Sequence, residues 1–80
     1  MAATSRFNWQ PVSGPAVVVT IDSDGSVRNH DDVILGRVFR ARHGGWGWER
    51  AGVIETRTGC TTQEIAVSKL LFQLRREGKV

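Results

Sequence analysis

The order of apolar and polar positions reads as strands up to residue 58 and as a helix from residue 62. Residues 16–22, AVVVTID, are dense in β-branched side chains and predict a strand. Ser23-Asp24-Gly25 is turn chemistry, because an Asp side chain closes a local turn and Gly accepts positive φ. Residues 26–29 predict a short partner strand, and 29–32 a polar break. A second long strand spans 33–42, turned by His43-Gly44-Gly45 into a return strand at 46–50. Ala51-Gly52 turns again into a strand at 53–58. Residues 1–15 hold turn-formers without periodicity and read as a flexible N-terminal arm, with Phe7 and Trp9 docking on the body.

Thr61-x-x-Glu64 has the spacing of a capping box, in which hydroxyl and carboxylate each satisfy a free backbone amide of the first turn. It predicts a helix over 62–77, with Arg75 and Arg76 near the negative end and Gly78 as the stop. At 100° per residue, Ala66, Val67, Leu70, Leu71 and Leu74 share one arc that packs on the sheet. Ile65 and Phe72 lie opposite, beside Lys69 and Arg76, and form a candidate partner interface unless the N-terminal arm covers them. The expected fold class is α+β: an antiparallel sheet of three to five strands on one C-terminal helix, with residues 16–80 as a single domain. Alternation leaves Ile34, Val38, Arg40 and Arg42 on one face of their strand and Leu35, Arg37, Phe39 and Ala41 on the other. Neither set is cleanly apolar, and a bulge near Gly36 would reconcile them.

Eighty residues bury a thin core, so a dimer interface or a bound partner would add to stability. The net charge of +3 is unevenly spread: residues 1–32 sum to −2, 33–58 to +3 and 59–80 to +2. Such polarity steers an anionic partner. Nine of the eleven basic residues are Arg, which suits bidentate phosphate contacts and equally suits a GC-rich genome. Cys60 stands alone, so no internal disulfide forms and it reads as a small buried hydrophobe. No apolar run is long enough for a membrane span and no secretory signal is visible, so the expectation is a cytoplasmic protein without membrane contact.

The segment GRVFRARHGGWGWER, residues 36–50, mixes guanidiniums with indoles on one hairpin. Guanidiniums pair with phosphate and indoles stack on bases, so Arg37, Arg40, Arg42, Trp46, Trp48, Arg50 and Arg57 are the candidate nucleic-acid contacts. A thin core also needs large aromatics, so at least one of the two tryptophans is expected inside. His30 and His43 lack neighbours at metal spacing, Asp31 and Asp32 point apart, and Ser68 and Cys60 have no base at a known spacing. The expectation is a non-enzymatic protein with no metal and no cofactor.

Gly36-Arg37-Val38, Gly44-Gly45-Trp46, the strand at 53–58, and Gly59 leading into Thr62-x-Glu64-x-Ala66 resemble small three-stranded-sheet-plus-helix DNA-binding modules. These are the arm-binding domains of phage tyrosine integrases and the plant ethylene-response-type domains. The resemblance spans residues 33–74. It departs from the pattern in a Gly59–Thr62 gap one residue short and without an aromatic, and in the additional strand at 16–22. The resemblance implies duplex DNA as partner, with the sheet face entering the major groove, in an accessory or regulatory protein of a phage or mobile element. Two alternatives stand beside it. One is a protein-interaction module, such as a phage-encoded modulator of a host protein, using the acidic first third (Asp22, Asp24), Ile65, Phe72 and the Trp hairpin, with a homodimer as a further option. The other is single-stranded DNA or RNA binding through Trp46 and Trp48.

Overall fold

The computed structural model describes residues 4–80. Six strands run in chain order: β1 (Ser5–Trp9), β2 (Val17–Ile21), β3 (Ser26–Arg28), β4 (Ile34–Arg40), β5 (Trp46–Arg50) and β6 (Thr56–Cys60). Helix α1 (Gln63–Arg76) follows them. Each strand pairs antiparallel with its chain neighbour, making one six-stranded meander with β1 and β6 at its edges. The α+β class holds, and the strand count exceeds the expected three to five. The additional strand lies within the segment read as an arm. Phe7 and Trp9 alternate with Arg6 and Asn8, and that period places Phe7 opposite Val19 and Trp9 opposite Val17.

Alternation along the paired strands sorts the side chains onto two faces. Val19, Ile21, Val27, Val38, Trp48 and Cys60 turn toward α1 and are buried against Ala66, Val67, Leu70, Leu71 and Leu74, with Phe7 and Trp9 packed at the margin. This is the helix arc that the 3.6-residue period predicts.

β4 carries one extra residue against β3. Arg28 pairs with Ile34 and Val27 with Gly36, leaving Leu35 as the bulge. This is the irregularity that the conflicting alternation around Gly36 requires, and it lets Leu35 join the buried cluster. Gly36 lies directly beneath the helix: a Cβ there would collide with the Glu49 carbonyl and stand 2.9 Å from a Leu70 methyl.

The turns follow their side chains. The Asp24 carboxylate accepts from the Ser26 amide at 3.0 Å, and Gly25 takes φ 91°. Asn29 Oδ1 accepts from the amides of Asp31 and Val33, and Asp32 adopts φ 65°, which explains the polar break.

Three expected boundaries move. The helix cap is Thr62, whose hydroxyl accepts from the Ile65 amide at 3.2 Å, so the Thr61–Glu64 box does not form. Thr62 holds the extended backbone that a capping residue needs, and that backbone fixes which hydroxyl reaches the first turn. β4 ends at Arg40, leaving Arg42 in the turn. β6 starts at Thr56, leaving Val53 and Ile54 in the preceding loop, where Ile54 is almost fully exposed. The helix closes as expected: Lys79 donates to the Leu74 carbonyl at 2.9 Å across Gly78, which has φ 75°. No helix among the described residues is long and apolar enough to cross a membrane.

Because any side chain at residue 36 displaces Leu70 or the β5 backbone, Gly36→Val is expected to cost at least about 2 kcal/mol. Urea unfolding followed by circular dichroism checks this, and an unchanged midpoint would contradict the packing described.

Candidate binding surfaces

β4 and β5 determine where the hairpin residues go. Their register pairs Gly36 with Arg50, Val38 with Trp48 and Arg40 with Trp46, all on the side that carries α1. Arg37, Phe39, Glu49 and Gly47 occupy the opposite, uncovered side. The seven candidate nucleic-acid contacts therefore do not share one surface. Trp48 is buried in the core, as a thin core demands. Trp46 is half-buried and packed against the core, with the Arg40 guanidinium 5.4 Å from its ring centre. Arg42 is exposed at the turn.

Internal carboxylates hold three of the remaining arginines. Arg37 Nε donates to Glu49 Oε1 at 2.9 Å. Arg50 donates to Glu77, just past the end of α1, and lies 3.5 Å from Glu55. Arg57, on edge strand β6, lies 2.9 Å from the same Glu55. Only Arg37 of the seven projects from the uncovered sheet face, and it is paired there. The physical reason is strand parity. Residues 46, 48 and 50 share a side, and burial of Trp48 fixes that side as the one beneath the helix.

The acidic first third is likewise engaged in its own turns. Arg28 Nε donates to Asp22 at 2.7 Å, and this bond raises the guanidinium above its ordinary range. Hydrogen bonds from Ser26 hold the Asp24 carboxyl below the usual carboxylate range.

A second surface is less compensated. On the outer side of α1, Ile65 is 39% exposed and Phe72 54% exposed, and Lys69 and Arg76 lie at the same helical angle. Neither cation has a carboxylate within 4.0 Å among the described residues. The Arg76 guanidinium sits 6.0 Å from the centre of the Phe72 ring.

Beside Phe72 the loop between β1 and β2 leaves a groove of about 330 Å³. Trp9, Pro11, Val12 and Phe72 supply its apolar lining, and Arg75 and Arg76 its cationic rim. Arg75 fastens the loop by donating to the Ser13 carbonyl at 2.7 Å. Gly14 passes so close to that guanidinium that a side chain there would overlap it. The N-terminal segment therefore reaches the Phe72 side of the helix and leaves most of that side open. Phe72 was legible in the helical period as an off-face apolar residue. Pro11, Val12 and Arg75 carried no such signal, because a loop-to-helix contact across 62 positions has no sequence period.

Among the described residues no group of three or more His, Cys, Asp or Glu side chains is placed to hold a metal ion. Comparison with known protein families, with curated proteins and with solved structures finds no match.

Arg50 joins β5 to the chain just past α1 with its side chain only 17% exposed, whereas Arg42 is exposed and its side chain has no bonded partner among the described residues. Arg50→Ala is expected to lower stability by about 1–3 kcal/mol, and Arg42→Ala by no more than about 0.5 kcal/mol. Chemical denaturation of both variants checks the contrast, and equal costs would contradict it.

Proposed function

We propose that this chain is a non-enzymatic protein-interaction domain whose contact surface is the outer side of α1 with the adjoining β1–β2 loop. The observation that carries the reading is the stripe Ile65, Lys69, Phe72 and Arg76. It offers two exposed apolar side chains and two cations with no carboxylate within 4.0 Å among the described residues. Ile65 and Phe72 share one side of the helix and are flanked there by Lys69 and Arg76, so they form an apolar pair rimmed by cations rather than a single scattered exposure. The sheet gives weaker support to a polyanion partner, since its charges are met in place by Glu49, Glu55, Glu77 and Asp22.

Duplex DNA stands as the second reading, favoured by one observation: Arg40 and Arg42 at the β4–β5 turn have no carboxylate within ion-pair distance among the described residues. In that reading few phosphates are neutralised, and log affinity falls against log salt with a slope of only about −2. Single-strand stacking draws less support still, because Trp48 is buried and Trp46 is half-buried against the core.

Photo-crosslinking in the cells that encode the protein separates these readings, with benzoylphenylalanine placed at position 72 or at position 42. The interaction reading expects a nuclease-resistant protein adduct from position 72, lost when Ile65→Asp is added. Nuclease-sensitive adducts from position 42 alone, or none from position 72, would overturn it.

A further inference from the structure

We propose that the groove between residues 10–15 and the C-terminal half of α1 binds an acidic peptide segment of the partner, with one bulky apolar side chain seated between carboxylates. The inference rests on the interaction reading above and names the chemistry of the occupant. Three features of the groove select it.

The first is shape and lining. Trp9 and Pro11 belong to the body of the fold: Pro11 is buried and Trp9 packs against the core. They give a fixed wall, while Val12 at the loop tip is fully exposed and Phe72 stands 54% exposed across from it. The space of about 330 Å³ between them is lined by four apolar residues, which suits an aromatic or large aliphatic side chain.

The second is charge. The rim carries Arg75 and Arg76. The one acid within α1 is Glu64 in its first turn, and Glu77 just beyond the helix is drawn to Arg50 on the sheet side. Among the described residues no carboxylate lines the groove. An apolar side chain flanked by Asp or Glu would place its ring against Trp9 and Phe72 and a carboxylate at Arg76 on the rim. A neutral apolar segment leaves Arg76 unmatched, and a phosphate backbone leaves the apolar lining unfilled.

The third is preorganisation. The Arg75–Ser13 bond of 2.7 Å and the Gln10 amide, which reaches the Pro11 and Gly14 carbonyls at 3.4 Å, hold the loop over the helix before any ligand arrives. Arg75 is thus a positioning residue for the groove, and Arg76 is the cation free to meet a carboxylate.

The probe is an acetylated, amidated peptide in which one phenylalanine is flanked on each side by two glutamates, titrated into the full-length ¹⁵N-labelled protein. The proposal expects shifts confined to the Trp9 indole N–H and to the amides of residues 10–14 and 69–76. Replacing the glutamates by glutamines, or the phenylalanine by alanine, is expected to weaken binding about tenfold. Arg76→Gln, an exposed change that leaves the core untouched, should weaken the acidic peptide about threefold to fivefold and leave the glutamine peptide unaffected. Equal binding of the glutamine peptide, shifts centred on Arg40 and Arg42, or no shifts at millimolar peptide would each overturn the proposal. So would stronger perturbation of the same residues by a short duplex DNA or by anionic phosphatidylserine vesicles. If position 72 still crosslinks to protein while the peptide fails, the occupant is wrong and the interaction reading survives.

Discussion

Everything in this chain is arranged around the seating of one helix face on one side of the sheet. Leu70 descends onto Gly36, where no side chain separates helix from strand, and Ala66, Val67, Leu71 and Leu74 extend that contact. Each large aliphatic group so buried contributes about 1.5–3 kcal/mol, a large share of the net stability available to a small domain. Because that side of the sheet must be apolar, strand parity sends Trp48 inward and Arg37 outward, and residues three apart in sequence end on opposite sides of the molecule.

The same constraint accounts for the arginines. A core this thin leaves its rim in contact with water, and the structure closes the rim with ion pairs between elements. Arg50 links β5 to the turn after α1, Arg37 and Glu49 bridge β4 and β5, and Arg57 pins Glu55 of the β5–β6 loop. Guanidiniums suit this role because the planar group stacks on rings and forks to carboxylates, as Arg37 does over Phe39 at 5.7 Å. Clustering in sequence here reflects a short hairpin in which Arg37 and Arg50 meet internal carboxylates. Arg40 and Arg42 at the hairpin have no such carboxylate among the described residues, nor do Lys69 and Arg76, which lie on the helix beside exposed apolar residues.

Period carried much of the fold in the sequence. The alternation of residues 17–21, the apolar arc of α1 and the Gly turn at residues 44–45 all translate directly into elements, because each is a local pattern. The bulge opposite Val27 was implied by the clash between two strand faces. β1 was obscured by the turn-formers that follow it, although Phe7 and Trp9 already showed the period of two. The helix cap moved by one residue because two threonines compete and backbone geometry chooses between them. The candidate site was less legible. Which arginines are free depends on pairings such as Arg50 with Glu77, 27 positions apart, and on a loop fastened by Arg75 across 62 positions. No window of sequence contains those contacts.

Helix α1 has an inner face that holds the sheet and an outer face on which Ile65 and Phe72 stand exposed, the face proposed above to meet a partner. Thermal unfolding of the double variant I65Q/F72Q, beside Leu70→Ala, distinguishes the two faces. If the outer face is open, the double variant melts within about 5 °C of the parent while Leu70→Ala loses about 10 °C or more. A comparable collapse in the double variant would mean that Ile65 and Phe72 belong to the core and that no outer binding face exists.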